Sequence, residues 1–218
     1  MADVDAPDAV SEGRVRWKRF GMMLSASAVV GAVLVTLTAQ GVLAAQFAIS
    51  GIPFTVTADR LDGTGFEQFG TLDSMPDGSP NASACAGASE ANQGNCGGVV
   101  VVAVSAIQTA TLSNLCQSIN LGGTNLKITA GGNGRSVQAT TLVVDSDLLT
   151  GDATFTNIEI GRDASTLNKV PGVTGPLGLF AQQADSVVIT NLRQSNFATT
   201  AAAFSLPGLT LTFSSTAC

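Results

Sequence analysis

The chain has 218 residues, with 16 acidic and 10 basic side chains, four cysteines, and neither histidine nor tyrosine. Without histidine there is no Ser-His-Asp triad, no Cys-His pair and no HExxH zinc site. Beyond residue 45, twelve acidic residues stand against six basic ones, and no Lys/Arg cluster offers itself to a nucleic-acid backbone.

Residues 1–19 read as a disordered cytoplasmic tail, acidic and proline-containing at first and basic at its end. Residues 20–45 come next as a transmembrane anchor or signal segment. Gly21 to Ala45 is 25 residues without a charge. As a helix it would reach about 37 Å, enough to span a hydrocarbon slab of about 30 Å with tilt. The core of a cleaved signal is usually about 7–15 residues, which favours a retained anchor. The small residues of Val42-Leu43-Ala44 suit a signal peptidase, so cleavage stays open. Arg14, Arg16, Lys18 and Arg19 orient the segment with its start in the cytoplasm, so both readings export residues 46–218. The four cations are not arranged as a twin-arginine pair.

Residues 46–218 suffice for one domain with a core of its own. Ser, Thr, Gly, Ala and Val dominate there, and the helix formers Glu and Lys are scarce. The expected fold is an all-β extracytoplasmic domain, as a curled elongated sheet, a sandwich or a short solenoid, preceded by one N-terminal transmembrane helix. Strand signals begin at "FAISGIPFTVTA". "LDGTG" reads as a turn before a second strand, "FEQFGTL". Residues 73–98 hold no branched apolar residue and read as a long surface loop. "VVVVAVSAI" is continuous, as in a strand covered on both faces. "NLKITA" and "RSVQATTLVV" flank "GGNG", which reads as a hairpin turn. "ATFTNIEIG" and "SVVITNLRQ" are further strands, and "ASTLNK" has room for one helical turn. "VPGVTGPLG" is a proline-glycine loop. In "GLTLTF", Leu209, Leu211 and Phe213 share one face and Thr210 and Thr212 the other.

All four cysteines, Cys85, Cys96, Cys116 and Cys218, lie beyond the apolar run, where an oxidising compartment favours disulfides. Of three possible pairings, Cys85–Cys96 is the most economical, because it staples a turn-rich loop. Cys116–Cys218 is its complement. Four free or metal-bound thiols are the alternative, disfavoured by the lack of histidine and of any CxxC spacing.

A loose repeat runs through "LSNL", "FTNI" and "ITNL", with "GTNL" as a partial fourth. The asparagines Asn114, Asn125, Asn157 and Asn191 are separated by 11, 32 and 34 residues, so the period is not strict. "TADRL", "VDSDL" and "QADSV" place an aspartate ahead of an apolar residue. Either repeated strand units stack, or Thr-Asn simply ends strands at turns.

No catalytic residue emerges, no cofactor is expected, and no G-x-S-x-G occurs. Asp145, Asp147 and Asp152, with Glu159 and Asp163 beyond, are calcium candidates without EF-hand spacing. Two carboxylates could also hydrolyse glycosides, but nothing fixes their separation. An apolar groove between sheets would draw on Phe155, Ile158, Val188 and Phe213.

"FTVTADRLDGTGFEQFG", "LSNLCQSINL" and "GDATFTNIEIGRDASTLNK" resemble a family of small exported or membrane-anchored actinobacterial proteins of uncharacterised function, some labelled "cholesterol esterase". The resemblance covers most of residues 14–218. It supplies no catalytic residues, and an esterase would need a base that a chain without histidine does not offer in the usual form. It also implies a membrane partner, such as another small membrane protein. The sequence thus leads to a non-enzymatic envelope component, structural or interacting with a partner or with itself. A lipid-binding or lipid-transfer domain is the alternative.

Overall fold

Long runs of Val, Thr, Ile and Phe, broken by few prolines, give this domain unusually long strands. The structure, a computed structural model, describes residues 48–82 and 97–218. The tail, the apolar run and the Cys85–Cys96 loop lie outside the described residues. Among those described, no helix is long and apolar enough to cross a membrane.

The strands are β1 (Phe54–Ser74), β2 (Val99–Ser113), β3 (Leu115–Asn120), β4 (Asn125–Ala130), β5 (Val137–Thr156), β6 (Glu159–Asp163), β7 (Phe180–Thr200), β8 (Ala203–Ser205) and β9 (Thr210–Ser214). One 3₁₀ turn, Ala164–Thr166, comes after β6 inside "ASTLNK". All pairings are antiparallel and belong to one sheet. The all-β expectation holds.

The four long strands pair in a cycle: β1 with β2, β2 with β5, β5 with β7, and β7 with β1. Closing the cycle removes free edges from its members. Beyond it the sheet continues on one side as β3, β4 and β9, and on the other as β6.

Three sequence expectations change here. "LDGTG" is not a turn: Gly65, with φ 63°, bends a single 21-residue strand. A side chain there would also bring its Cβ within 2.5 Å of the Lys169 carbonyl. "GGNG" is not a hairpin. β4 pairs with β3 and β9, whereas β5 pairs with β2, β7 and β8, so the turn joins strands with different partners. The hairpin lies one strand earlier, where Leu121 N–H donates to the Thr124 carbonyl between β3 and β4. Residues 73 and 74, expected in the loop, complete β1.

The bends fall in two rows six residues apart. Asn114 (φ 52°) and Asn191 (φ 55°) flank Asp59 in one row, and Asn157 (φ 52°), Gly65 and Thr141 (φ 46°) lie in the other. Each bend lets a strand change which alternate residues face inward. Along β1, Val56 and Ala58 point into the core, then Leu61, then past Gly65 Phe66. Strand β7 does the same with Leu192, then Ile189 and Val187, then Ala184. A β-branched residue in the left-handed region, as at Thr141, is held only by its surroundings.

The loose asparagine repeat has its physical meaning in these rows. Asn114 Nδ2 donates to Asp59 (2.5 Å), Asn157 Nδ2 to Asp185 (2.7 Å) and Asn191 Nδ2 to Asp152 (2.9 Å). Asparagine tolerates positive φ better than most residues, and each aspartate fixes its amide across the strand pair. Asn125 does not belong to the set: it is buried at the start of β4 and reaches the Ser214 carbonyl.

Past the second row the sheet carries a second core on its other face. Val100, Val102, Val104 and Ala106 of β2 meet Phe69 and Ala181 there, under Ala164, Leu167, Val170 and Val173. Burying a valine fully is worth about 1.5–3 kcal/mol, so this lid is a substantial part of the fold. "VVVVAVSAI" is therefore covered on both faces only in part: Ser105 and Ile107 are buried on the other side, but Val101 is half exposed.

Candidate functional site

Register defines the most unusual surface of the molecule. In one row across five strands, Asn196 pairs with Phe54, Phe54 with Ile119, Ile119 with Leu126, and Leu126 with Phe213. In the next, Gln194, Val56, Gln117, Ile128 and Leu211 stand side by side in that order. Directly opposed residues share a face. The interior face of the ring thus continues outward along β3 and β4 to β9 as an apolar apron. Its outer rim is bare: Leu209, Leu211 and Phe213 are 54%, 57% and 68% exposed.

The other face of the same strands is polar, and at β3 the C-terminus is tied to it. Cys116 and Cys218 form a disulfide with a Cα–Cα distance of 5.8 Å, closing 102 residues. Cys218 N–H donates to Ser118 Oγ (3.1 Å), and Arg193 donates to the Cys218 carbonyl (3.0 Å). The C-terminus is thereby strapped to β3 and β7 on this polar face.

At the inner end of the apron lies a cavity of about 40 Å³. Leu61, Leu112, Leu142 and Ile189 are among its apolar lining, and Ser105, Gln117, Gln194, Asn196 and Thr199 form its polar part. Among the described residues, no charged side chain lines it. Asn196 is 1% exposed, and its Oδ1 is buried without a hydrogen-bond partner among the described residues.

The groove drawn from sequence is not assembled. Phe155 packs on Phe66, with ring centroids 5.1 Å apart, in the interior. Val187, opposite Phe155, faces the core, so Val188 points the other way. Ile158 stands exposed past the Asn157 bend. Only Phe213 belongs to the apron. Gln194 and Asn196 were not legible as site residues, because nothing local in "NLRQSNF" separates inward polar positions from solvated ones.

The three calcium candidates also part company. Asp147 and Asp152 are exposed, Asp152 is engaged with Asn191, and Asp145 faces Asp73. Glu159 pairs with Arg162 (2.5 Å), and Asp163 caps the 3₁₀ turn through Ser165. Among the described residues no cluster of three or more His, Cys, Asp or Glu could hold a metal ion.

Two carboxyl arrangements stand out instead. Burial, then the neighbouring Asp73, push Asp145 up to about 7, and burial also raises Asp73. The two share a proton near neutrality. Glu67 is fully buried, accepts hydrogen bonds from the Lys169 and Val170 backbone N–H groups, and is raised by burial. Its bonds fasten the lid over the second core, which makes it an anchor for residues 169 and 170, while Gln183 accepts from the Asn168 N–H.

The model of a family of unknown function, DUF6230, matches residues 50–218. The chain belongs to that family. The match starts where the described domain starts and runs through the terminal cysteine, so the ring, the apron and the disulfide all fall within it. Neither the curated proteins nor the solved structures provide a match.

Proposed function

We propose that this chain is a non-enzymatic component of the cell envelope, displayed outside the plasma membrane, that works by holding an apolar partner against the β3–β4–β9 apron. The observation that carries this reading is the exposed rim at Leu209, Leu211 and Phe213, continuous with the interior. Contiguous exposed apolar surface marks contact sites, and an edge strand adds unpaired backbone groups to it. The export step rests on the cationic flank and the uncharged run, and the Cys116–Cys218 bridge accords with an oxidising space.

Full chain purified from its own membranes tests the reading. A Leu211→Glu/Phe213→Glu variant should fold, because both side chains are already exposed, and should lose its co-purifying partner or lipid. Unchanged co-purification would contradict the proposal.

A second reading, lipid binding, is favoured by one observation: the polar inner end of the apron. A cavity of about 40 Å³ holds no acyl chain by itself, since even a benzene site occupies about 150 Å³. A lipid would have to use the open apron as well.

A further inference from the structure

We infer that the row Asn196–Phe54–Ile119–Leu126–Phe213 binds a single-chain amphiphile with an uncharged, hydrogen-bond-donating head group. Its head would sit in the cavity against Asn196 and its chain would run outward over the apron. The inference rests on the contact reading and names the chemistry of the occupant.

Three observations converge. Asn196 Oδ1 is an acceptor in an almost fully buried side chain, and it has no partner among the described residues. Leaving such an acceptor buried and unsatisfied is unfavourable, so a donor belongs there. The cavity has room for about three water-sized groups, but most of its wall is apolar. Waters in that part would find no partners, whereas one donor carried on a hydrocarbon satisfies both ends. The described lining holds no lysine or arginine. A carboxylate or phosphate head would therefore be buried without a counter-charge, at a cost far above that of a hydroxyl or amide.

The apron fixes the chain length. Asn196 and Phe213 stand four strand spacings apart, about 19 Å at 4.8 Å per strand. One leaflet of a bilayer core is about 15 Å, so a chain of membrane-lipid length covers most of the row. The next row lies alongside it, with Ile128 and Leu211 as its apolar outer part and Gln194, Val56 and Gln117 toward the cavity.

The test uses the full chain with phosphatidylcholine nanodiscs and two photoreactive probes, a diazirine hexadecanol and a diazirine palmitate. Labelled peptides are mapped by mass spectrometry. The alcohol should label the Leu126 and Phe213 strands saturably, be displaced by unlabelled hexadecanol, and exceed palmitate at least tenfold. Asn196→Leu should lower alcohol labelling about tenfold. Should that variant not fold, competition by unlabelled alcohols of increasing chain length on the unsubstituted protein decides, with an optimum near 16 carbons. Equal labelling by palmitate overturns the inference, as does labelling spread evenly to exposed residues off the apron such as Leu177 and Ile160. If photoreactive residues at Leu211 capture a protein while neither probe labels the row, the contact reading stands and the lipid inference falls. If neither occurs, both fall.

Discussion

Replacing Asp145 with asparagine supplies permanently the proton that Asp145 and Asp73 now share. Burial and Asp73 raise Asp145 from 3.8 to about 7. A raised carboxyl favours its protonated form in the folded state. The unfolded chain ionises near pH 4, so folding becomes progressively less favourable as pH rises from about 4 to about 7, and the loss is complete above that. Three units correspond to about 4 kcal/mol at most. Asp145 keeps some contact with solvent, which reduces this to about 2 kcal/mol. Asp145→Asn should therefore raise Tm by about 4–8 °C at pH 8. At pH 4, where Asp145 of the wild-type protein is already protonated, the two proteins should melt together. Thermal unfolding followed by circular dichroism at both pH values measures this. Equal shifts at pH 4 and pH 8, or none at pH 8, would refute the shared-proton argument.

The bends and the disulfide make further predictions. Asn114→Ala places alanine at φ 52° and removes the bond to Asp59, so it should cost about 1–2 kcal/mol in urea unfolding. Asn114→Gly keeps the backbone and loses only the bond, so it should cost less than the alanine variant, reversing the usual order of these two residues in strands. Reducing Cys116–Cys218, or replacing both cysteines with serine, should cost about 2–5 kcal/mol, read as a lower urea midpoint. Gly65→Ala should destabilise more than alanine at Gly70, which has nothing within 4 Å of its Cβ position.

Local pattern made the strands legible and hid the ring. Alternation in "FTVTA" and "GLTLTF" marks β1 and β9 wherever their partners lie. Which strands pair is decided by contacts as distant as Phe54 with Asn196, and no local signal carries that. Turn chemistry misled twice. In "LDGTG" the positive φ falls at Gly65, where it bends a strand, and in "GGNG" it falls at Gly131, Asn133 and Gly134, where the turn joins strands that do not pair with each other. The repeated asparagines were visible as a pattern because each bend needs the same backbone region. Their aspartate partners come from other strands, and only "TADRL" and "QADSV" of the three companion stretches supply one. Phe213 was legible as part of an apolar face, but its exposure depends on the sheet ending at β9 among the described residues. The polar end of the apron was not legible, since an inward glutamine and a solvated one look alike in sequence.

The proposal that the apron is a contact surface is tested most directly by photo-crosslinking within one strand. A photoreactive residue is placed at Leu211, on the apolar face of β9, or at Thr212, on the opposite face, in the full chain in intact cells. Both positions are exposed. Capture of a defined protein or lipid adduct from position 211, with little from 212, is expected. Equal capture from the two positions, or none from 211, would contradict it.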